Sequence, residues 1–199
     1  MQADLNSESL VLSRLKGSFP VLSEESGGER HSGPTWIVDP LDGTVNYFRG
    51  IPNCCVSIAL WDREPILGVV YDFNRHELFA GIADEGITLN GQPITVSPID
   101  QKNKAICFTG FPVATSFEDG ALTEFVGLVR GYKKVRLLGS AALSLAYVAC
   151  GRGDVYRERD IRLWDVAAGL ALVKAAGGSY QCRGNDPLDV LAHNGLVGE

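Results

Sequence analysis

The chain has 199 residues, enough for one domain or two closely merged ones, and at 45% hydrophobic it can bury a sizeable core. A net charge of −6, with 21% charged residues, argues against broad electrostatic binding to nucleic acid or to an anionic membrane. No apolar run reaches membrane-spanning length and no secretory signal opens the chain.

The five cysteines, Cys54, Cys55, Cys107, Cys150 and Cys182, are odd in number and form no CxxC pair. Buried thiols in a reduced, cytoplasmic protein are the expectation. Residues 5–17 set Leu5, Leu12 and Leu15 among Ser, Glu and Arg, which predicts an amphipathic helix ending near Gly17. Val21-Leu22-Ser23 is a short apolar run into Glu24-Glu25-Ser26-Gly27-Gly28, which alone reads as a solvated turn. Residues 29–35 are polar and read as a loop.

Trp36-Ile37-Val38 begins a strand that meets Asp39-Pro40-Leu41-Asp42-Gly43-Thr44. Pro40 has no amide to donate, so the strand is expected to end at Asp39. Asp42 is expected to N-cap the helical turn that follows. This junction offers two carboxylates, the Leu41 carbonyl and the amides of Gly43 and Thr44. Oxygen ligands suit a hard cation such as Mg2+. Amides at a helix start suit a phosphate. Ordinary turn chemistry explains the same six residues as well, so the rest of the chain must decide.

Runs at 54–61, 66–71 and 77–83, joined by short polar turns, predict an antiparallel meander. Asn90-Gly91 marks a further turn before a short strand at 94–96. The second half alternates differently: strands at 105–109, 134–138 and 154–158 are interleaved with helices at 118–130, 141–150 and 163–176. The last two helices are apolar almost all round and are expected to be buried, the final one stopping at Gly177-Gly178. Alternation of this kind implies a layered α/β arrangement, with a division near residues 98–104. His31, His76 and His193 lie outside every motif and read as surface or loop side chains.

Further acids flank the junction. Glu24 lies 15 positions before Asp39 and can return to the same place across one loop. Asp165 opens the last helix within Leu163-Trp164-Asp165-Val166-Ala167-Ala168-Gly169; a first-turn charge facing the helix dipole is the plain alternative. Gly139-Ser140-Ala141-Ala142 would likewise serve as a simple N-cap.

Taken in order, Glu24-Glu25-Ser26, Asp39-Pro40-Leu41-Asp42-Gly43-Thr44 with Asn46-Tyr47, Gly139-Ser140-Ala141-Ala142 and Trp164-Asp165 resemble the inositol monophosphatase family over essentially the whole chain. That superfamily also includes fructose-1,6-bisphosphatase and the phosphoadenosine nucleotidases. The resemblance implies a single phosphatase domain over 1–199, an αβαβα sandwich and a homodimer. Residues 1–98 would carry the metal site and antiparallel sheet, and 99–199 the substrate half. It implies Mg2+-dependent, lithium-sensitive hydrolysis of a phosphate monoester such as inositol 1-phosphate; the net charge already leads us to expect no nucleic-acid or membrane partner. Glu24, Asp39 and the Leu41 carbonyl would bind one Mg2+; Asp39, Asp42 and Asp165 would bind the second. The loop between Glu24 and Asp39 looks short for a third ion. Gly43 and Thr44 would hold the phosphate. Thr44, partnered by Asp4, would orient the attacking water, with Glu24 counted among the catalytic groups. Gly139, Ser140, Ala141 and Glu158 would meet the substrate.

Family members carry one more N-terminal helix before the segment around Asp4, and none precedes it here. Arg157, Arg159 and Arg162 flank Glu158 and could meet a second phosphate, although solvated charges are the simpler account. A fructose-1,6-bisphosphatase, a 3′-phosphonucleotide phosphatase and a histidinol-phosphate phosphatase are the alternatives within the superfamily. A haloacid-dehalogenase mechanism needs aspartates two positions apart, whereas Asp39 and Asp42 are three apart. A degenerate, non-catalytic binding relative is the alternative of another class.

Overall fold

The computed structural model describes residues 2–28, 32–111 and 119–197; His31 and the expected helix start at residue 118 lie outside them. Helix α1 (Gln2–Leu15) comes first. Its leucine spacing predicts an apolar inward face, and the structure reverses that: Leu5 and Leu10 are exposed, while Asp4 and Glu8 are buried. The helix packs against the acid-bearing strand ends that follow, where polar backbone and carboxylate groups need partners.

Strand β1 (Val21–Ser23) pairs in parallel with β2 (Thr35–Asp42), Val21 opposite Trp36 and Ser23 opposite Val38. Here the expectation that the strand ends at Asp39 is corrected. β2 runs through Pro40 to Asp42, because the register with the next strand shifts between Asp39 and Asp42. A bulge leaves residues out of the ladder, so the proline's missing N–H costs no hydrogen bond. The short helix α2 (Thr44–Phe48) follows.

The expected meander then builds out from β2: β3 (Cys55–Asp62), β4 (Glu64–Asp72), β5 (Glu77–Ile82), β6 (Gly86–Leu89) and β7 (Gln92–Ile94), each antiparallel to its neighbour. The result is a seven-stranded mixed sheet in sequence order.

The second half interleaves β8 (Ile106–Phe108), α3 (Asp119–Gly131), β9 (Lys134–Arg136), α4 (Ala141–Ala149), β10 (Val155–Ile161) and α5 (Leu163–Ala175). It closes with β11 (Ser179–Arg183) and β12 (Leu188–His193). Five strands form a mixed sheet in the order β11-β12-β10-β8-β9. The sequence reading contains neither β11 nor β12. β11 is an edge strand whose side chains are nearly all exposed, so no apolar alternation marks it. His193 is also corrected: it is buried in β12, its Nδ1 accepts from the Gly195 amide at 3.1 Å, and burial pushes its pKa down.

The fold is thus a layered α/β arrangement, with α4 and α5 packed between the two sheets, α1 against β2 and α3 against β9. Both central helices are buried over most of their length, as their mostly apolar sequences predict. Close approach depends on Gly68 of β4, where a Cβ would stand 2.2 Å from the Ala168 carbonyl oxygen. Glycine there lets the backbone of α5 rest directly on the sheet. This places the start of α5 over the bulged end of β2. Among the described residues no helix is long and apolar enough to cross a membrane.

Candidate active site

Three carboxylates from distant parts of the chain meet at this point. Asp39 and Asp42 come from the two sides of the β2 bulge and Asp165 from the first turn of α5, with one carboxylate oxygen of each within 4.8 Å of the others. Asp39 and Asp42 are buried and Asp165 is partly so. Asp39 Oδ1 accepts the Leu41 amide at 2.9 Å, an Asx turn that shapes the bulge. Asp165 Oδ2 accepts the Arg162 amide at 3.2 Å, which also caps α5.

The expectation that Asp42 N-caps α2 is corrected. The N-cap is Gly43, with no side-chain hydrogen bond. Asp42 instead reaches across the chain to α4: its Oδ2 accepts Ser140 Oγ at 2.5 Å and the Ala142 amide at 2.8 Å. Ser140 is itself the N-cap of α4, accepting from the Leu143 amide at 3.3 Å. Its buried hydroxyl is therefore committed to Asp42 and the helix, and Ala141 beside it is buried too. Gly43 has φ +85°, and a Cβ there would lie 2.6 Å from the Asn53 carbonyl oxygen and 3.2 Å from that of Gly139. Both the left-handed backbone and the close approach demand glycine.

Of the remaining candidates, Glu24 and Glu158 act electrostatically on this cluster. Glu24 directly follows β1; its amide donates to the Val38 carbonyl at 3.1 Å and its carboxyl hydrogen-bonds Asp39. It is exposed and sits at the rim, outside the tight trio. Thr44 Oγ1 donates to the Leu41 carbonyl at 3.0 Å. Asp4 is buried in the first turn of α1, and its charge acts on Glu24. Glu158 is buried in β10, where its Oε2 accepts Tyr156 Oη at 2.9 Å. Arg162 stands 3.6 Å from Asp186 and over the Trp164 ring. Arg157 and Arg159 line a pocket with Gln181, Arg183 and Asp189 on β11 and β12.

Every acid of the cluster is pushed toward its protonated form. Burial lifts Asp39 well above the usual carboxylate range, and the charges of Asp42, Glu24 and Asp165 add to it. Burial also raises Asp42, against the pull of Ser140 and Ala142. Glu24 rises through burial, and Asp165 reaches about 8 through burial and then the charges of Asp42 and Glu24. Glu158 reaches about 7, again through burial first. Among the described residues, no cation is one of the leading influences on any of these five. Packed carboxylates with no positive partner form a site that a cation would complete.

A profile of the inositol monophosphatase family matches residues 1–199. The chain belongs to the inositol monophosphatase family. A Synechocystis protein named inositol-1-monophosphatase is 40% identical over 208 residues, covering 98% of this chain and 72% of that protein. A Xylella fastidiosa protein named Nus factor SuhB is 43% identical over 184 residues, covering 90% of this chain and 66% of its own length. Among solved structures, the inositol monophosphatase from Anabaena superposes with a TM-score of 0.89 at 41% identity, covering 98% of this chain and 82% of that one. The family and the layered fold expected from the motifs are both borne out. The chain spans about two thirds to three quarters of the length of these curated relatives.

Within this family member, sequence reasoning gave no role to several residues at the site. Asn46 donates its side-chain amide to the Asn53 carbonyl at 2.8 Å and the Leu138 carbonyl at 2.7 Å, tying α2 to the loop that opens α4. Cys55 Sγ lies 3.8 Å from Asp42 Oδ2 and 3.9 Å from Ser140 Oγ. The cysteine sits in an unbroken apolar run and gives no sequence signal. Asn46 lies within the motif that resembles the family, but its partners are reached only through tertiary folding.

Proposed function

We propose that this chain hydrolyses a phosphate monoester of a polyol, inositol 1-phosphate or a close analogue, with Mg2+ at the carboxylate cluster. The observation that carries the reading is the convergence of Asp39, Asp42 and Asp165 within 4.8 Å, all with raised pKa values and with no cation of the described residues among the leading influences on them. The donor set is all oxygen, which fits Mg2+ better than a softer metal. Glu24, Asp39 and the Leu41 carbonyl are assigned to one ion, and Asp39, Asp42 and Asp165 to the other; the short loop after Glu24 leaves no assigned ligand for a third. When bound, Mg2+ supplies Lewis acidity to the phosphoryl group and to water.

The chain's own groups do the rest. The amides of Gly43 and Thr44 take phosphate oxygens at the start of α2. Thr44 Oγ1 accepts a hydrogen bond from the attacking water, with Asp4 as the supporting acid. Glu24, exposed at the rim, would accept the proton of that water, which then passes to the oxygen of the leaving alcohol. Gly139, Ser140 and Ala141 form the wall beside the phosphate through their backbone. Glu158, with a pKa of about 7, can accept from or donate to a substrate hydroxyl near neutral pH.

Phosphate release should be greatest with inositol 1-phosphate in a panel that includes fructose 1,6-bisphosphate, a 3′-phosphonucleotide and histidinol phosphate, at varied Mg2+. A higher kcat/KM for a bisphosphate would replace the substrate assigned here. A second reading takes its support from the name of the Xylella relative: a binding role in place of catalysis. It becomes first if no panel member is turned over at saturating Mg2+.

The partner proposed is a second copy of the chain. Val45, Phe48 and Ile51, on and just after α2, are 76%, 55% and 45% exposed, apolar side chains that a second copy could cover. Phe48→Asp is expected to give a monomer by light scattering where the wild type is a dimer. A monomeric wild type at micromolar concentration would remove this assignment.

A further inference from the structure

The face that α1 turns inward is polar, and apart from Asp4 it has no part in the function proposed above. Glu8 is 6% exposed, and its Oε1 accepts three hydrogen bonds: from Ser23 Oγ at 2.5 Å, the Ser26 amide at 3.0 Å and Ser26 Oγ at 2.9 Å. All three donors lie on the turn that carries Glu24. That turn is closed on itself by a pair of backbone bonds at 2.9 Å, Ser23 amide to Gly27 carbonyl and Gly27 amide to Ser23 carbonyl. Beside Glu8 on the helix, Ser7 Oγ donates to the Pro40 carbonyl at 2.7 Å, inside the bulge between Asp39 and Leu41. One helix therefore grips both acid-bearing segments.

We propose that Glu8 is a positioning residue: it anchors the Ser23–Gly27 turn so that Glu24 faces Asp39, and so sets the affinity of the subsite these two share. The inference rests on the cation reading given above. Glu24 is exposed and extends from a five-residue turn, so what holds that turn helps fix its direction, alongside its amide bond to the Val38 carbonyl and its carboxyl bond to Asp39. The anchor is an acceptor oxygen rather than a charge. Glu8→Gln retains a carbonyl oxygen for the same three donors, whereas Glu8→Ala leaves the Ser23 hydroxyl and the Ser26 amide without it. Outer groups that orient ligands in this way typically change metal affinity by about 10- to 100-fold.

The test is a calorimetric titration of the full chain with Mn2+ alone, with melting temperatures of the metal-free proteins measured alongside. Asp165→Asn marks the subsite that Asp165 serves. Glu8→Ala is expected to weaken the other subsite by about tenfold or more and leave the marked one within about threefold. Glu8→Gln should stay within about threefold of wild type at both subsites. Ser26→Ala, which removes one contact at an exposed position, should weaken the same subsite by a smaller factor and carries the test if Glu8→Ala does not fold. Unchanged binding in Glu8→Ala, equal weakening of both subsites, or a Glu8→Gln as weak as Glu8→Ala would each overturn the inference. A wild type that binds no Mn2+ would overturn the cation reading instead.

Discussion

Asp42→Asn should lower phosphate release at saturating Mg2+ by about a thousandfold, or roughly 4 kcal/mol of barrier, with the fold retained. The asparagine keeps an oxygen that can accept from Ser140 Oγ and the Ala142 amide, so the tie between the β2 bulge and α4 survives. What it loses is the negative charge, and its amide nitrogen presents donors where a cation needs an acceptor. Asp42 is 7% exposed and crowded by Asp39 and Asp165, so removing its charge relieves repulsion in the metal-free protein. The metal-free melting temperature should therefore hold or rise while the Mg2+-induced increase shrinks. A variant that keeps more than a tenth of wild-type turnover, or that melts far below wild type without metal, would contradict this assignment of Asp42.

The meeting of Asp39, Asp42 and Asp165 is foreshadowed in the sequence through the motifs that resemble the family, since residue types alone leave ordinary turn and helix-end chemistry equally open. Parallel pairing of β1 with β2 then brings Glu24 beside Asp39 without any long-range information. What stayed hidden was the wiring between distant segments. Nothing near Asp42 in the chain announces that it caps a helix about a hundred residues later. Pro40 read as a strand end because a proline removes a ladder donor, and a bulge that makes the donor unnecessary has no local signature. Helix α1 departs from its leucine pattern for a related reason. Leucine periodicity assigns the inward face to apolar residues, but this helix covers carboxylates and open backbone groups, so burial selected Asp4 and Glu8. The rule that apolar residues turn inward fails where the surface being covered is polar.

Metal-free protein should lose stability as pH rises from about 5 to about 8, the opposite of the usual behaviour of acidic side chains. Unfolded Asp and Glu titrate near 4, at about 3.9 and 4.3. In the folded protein Asp165 titrates at about 8 and Glu158 at about 7, both raised by burial first, and Asp39 lies well above its ordinary range for the same reason. Between these limits the folded chain binds more protons than the unfolded one, so the unfolding free energy falls as pH climbs. Each extra proton held contributes a slope of about 1.4 kcal/mol per pH unit. Even one such proton between pH 6 and 8 amounts to a few kcal/mol, or roughly 5–10 °C in melting temperature for a chain of this length. Mg2+ acts in the opposite direction: it binds the ionised acids, displaces their protons and stabilises by mass action, about 2.7 kcal/mol at a hundredfold excess over its dissociation constant. The Mg2+-induced rise in melting temperature should accordingly be larger at pH 8 than at pH 6. Asp165→Asn removes one titrating acid, so its metal-free curve should be flatter and lie above the wild type at pH 8. Differential scanning fluorimetry across this range, with EDTA and then with Mg2+, reads all three trends. A wild type whose EDTA curve rises from pH 5 to 8 would show that these carboxylates are already ionised and compensated in the folded chain, and the case for a cation-completed cluster would lose its physical basis.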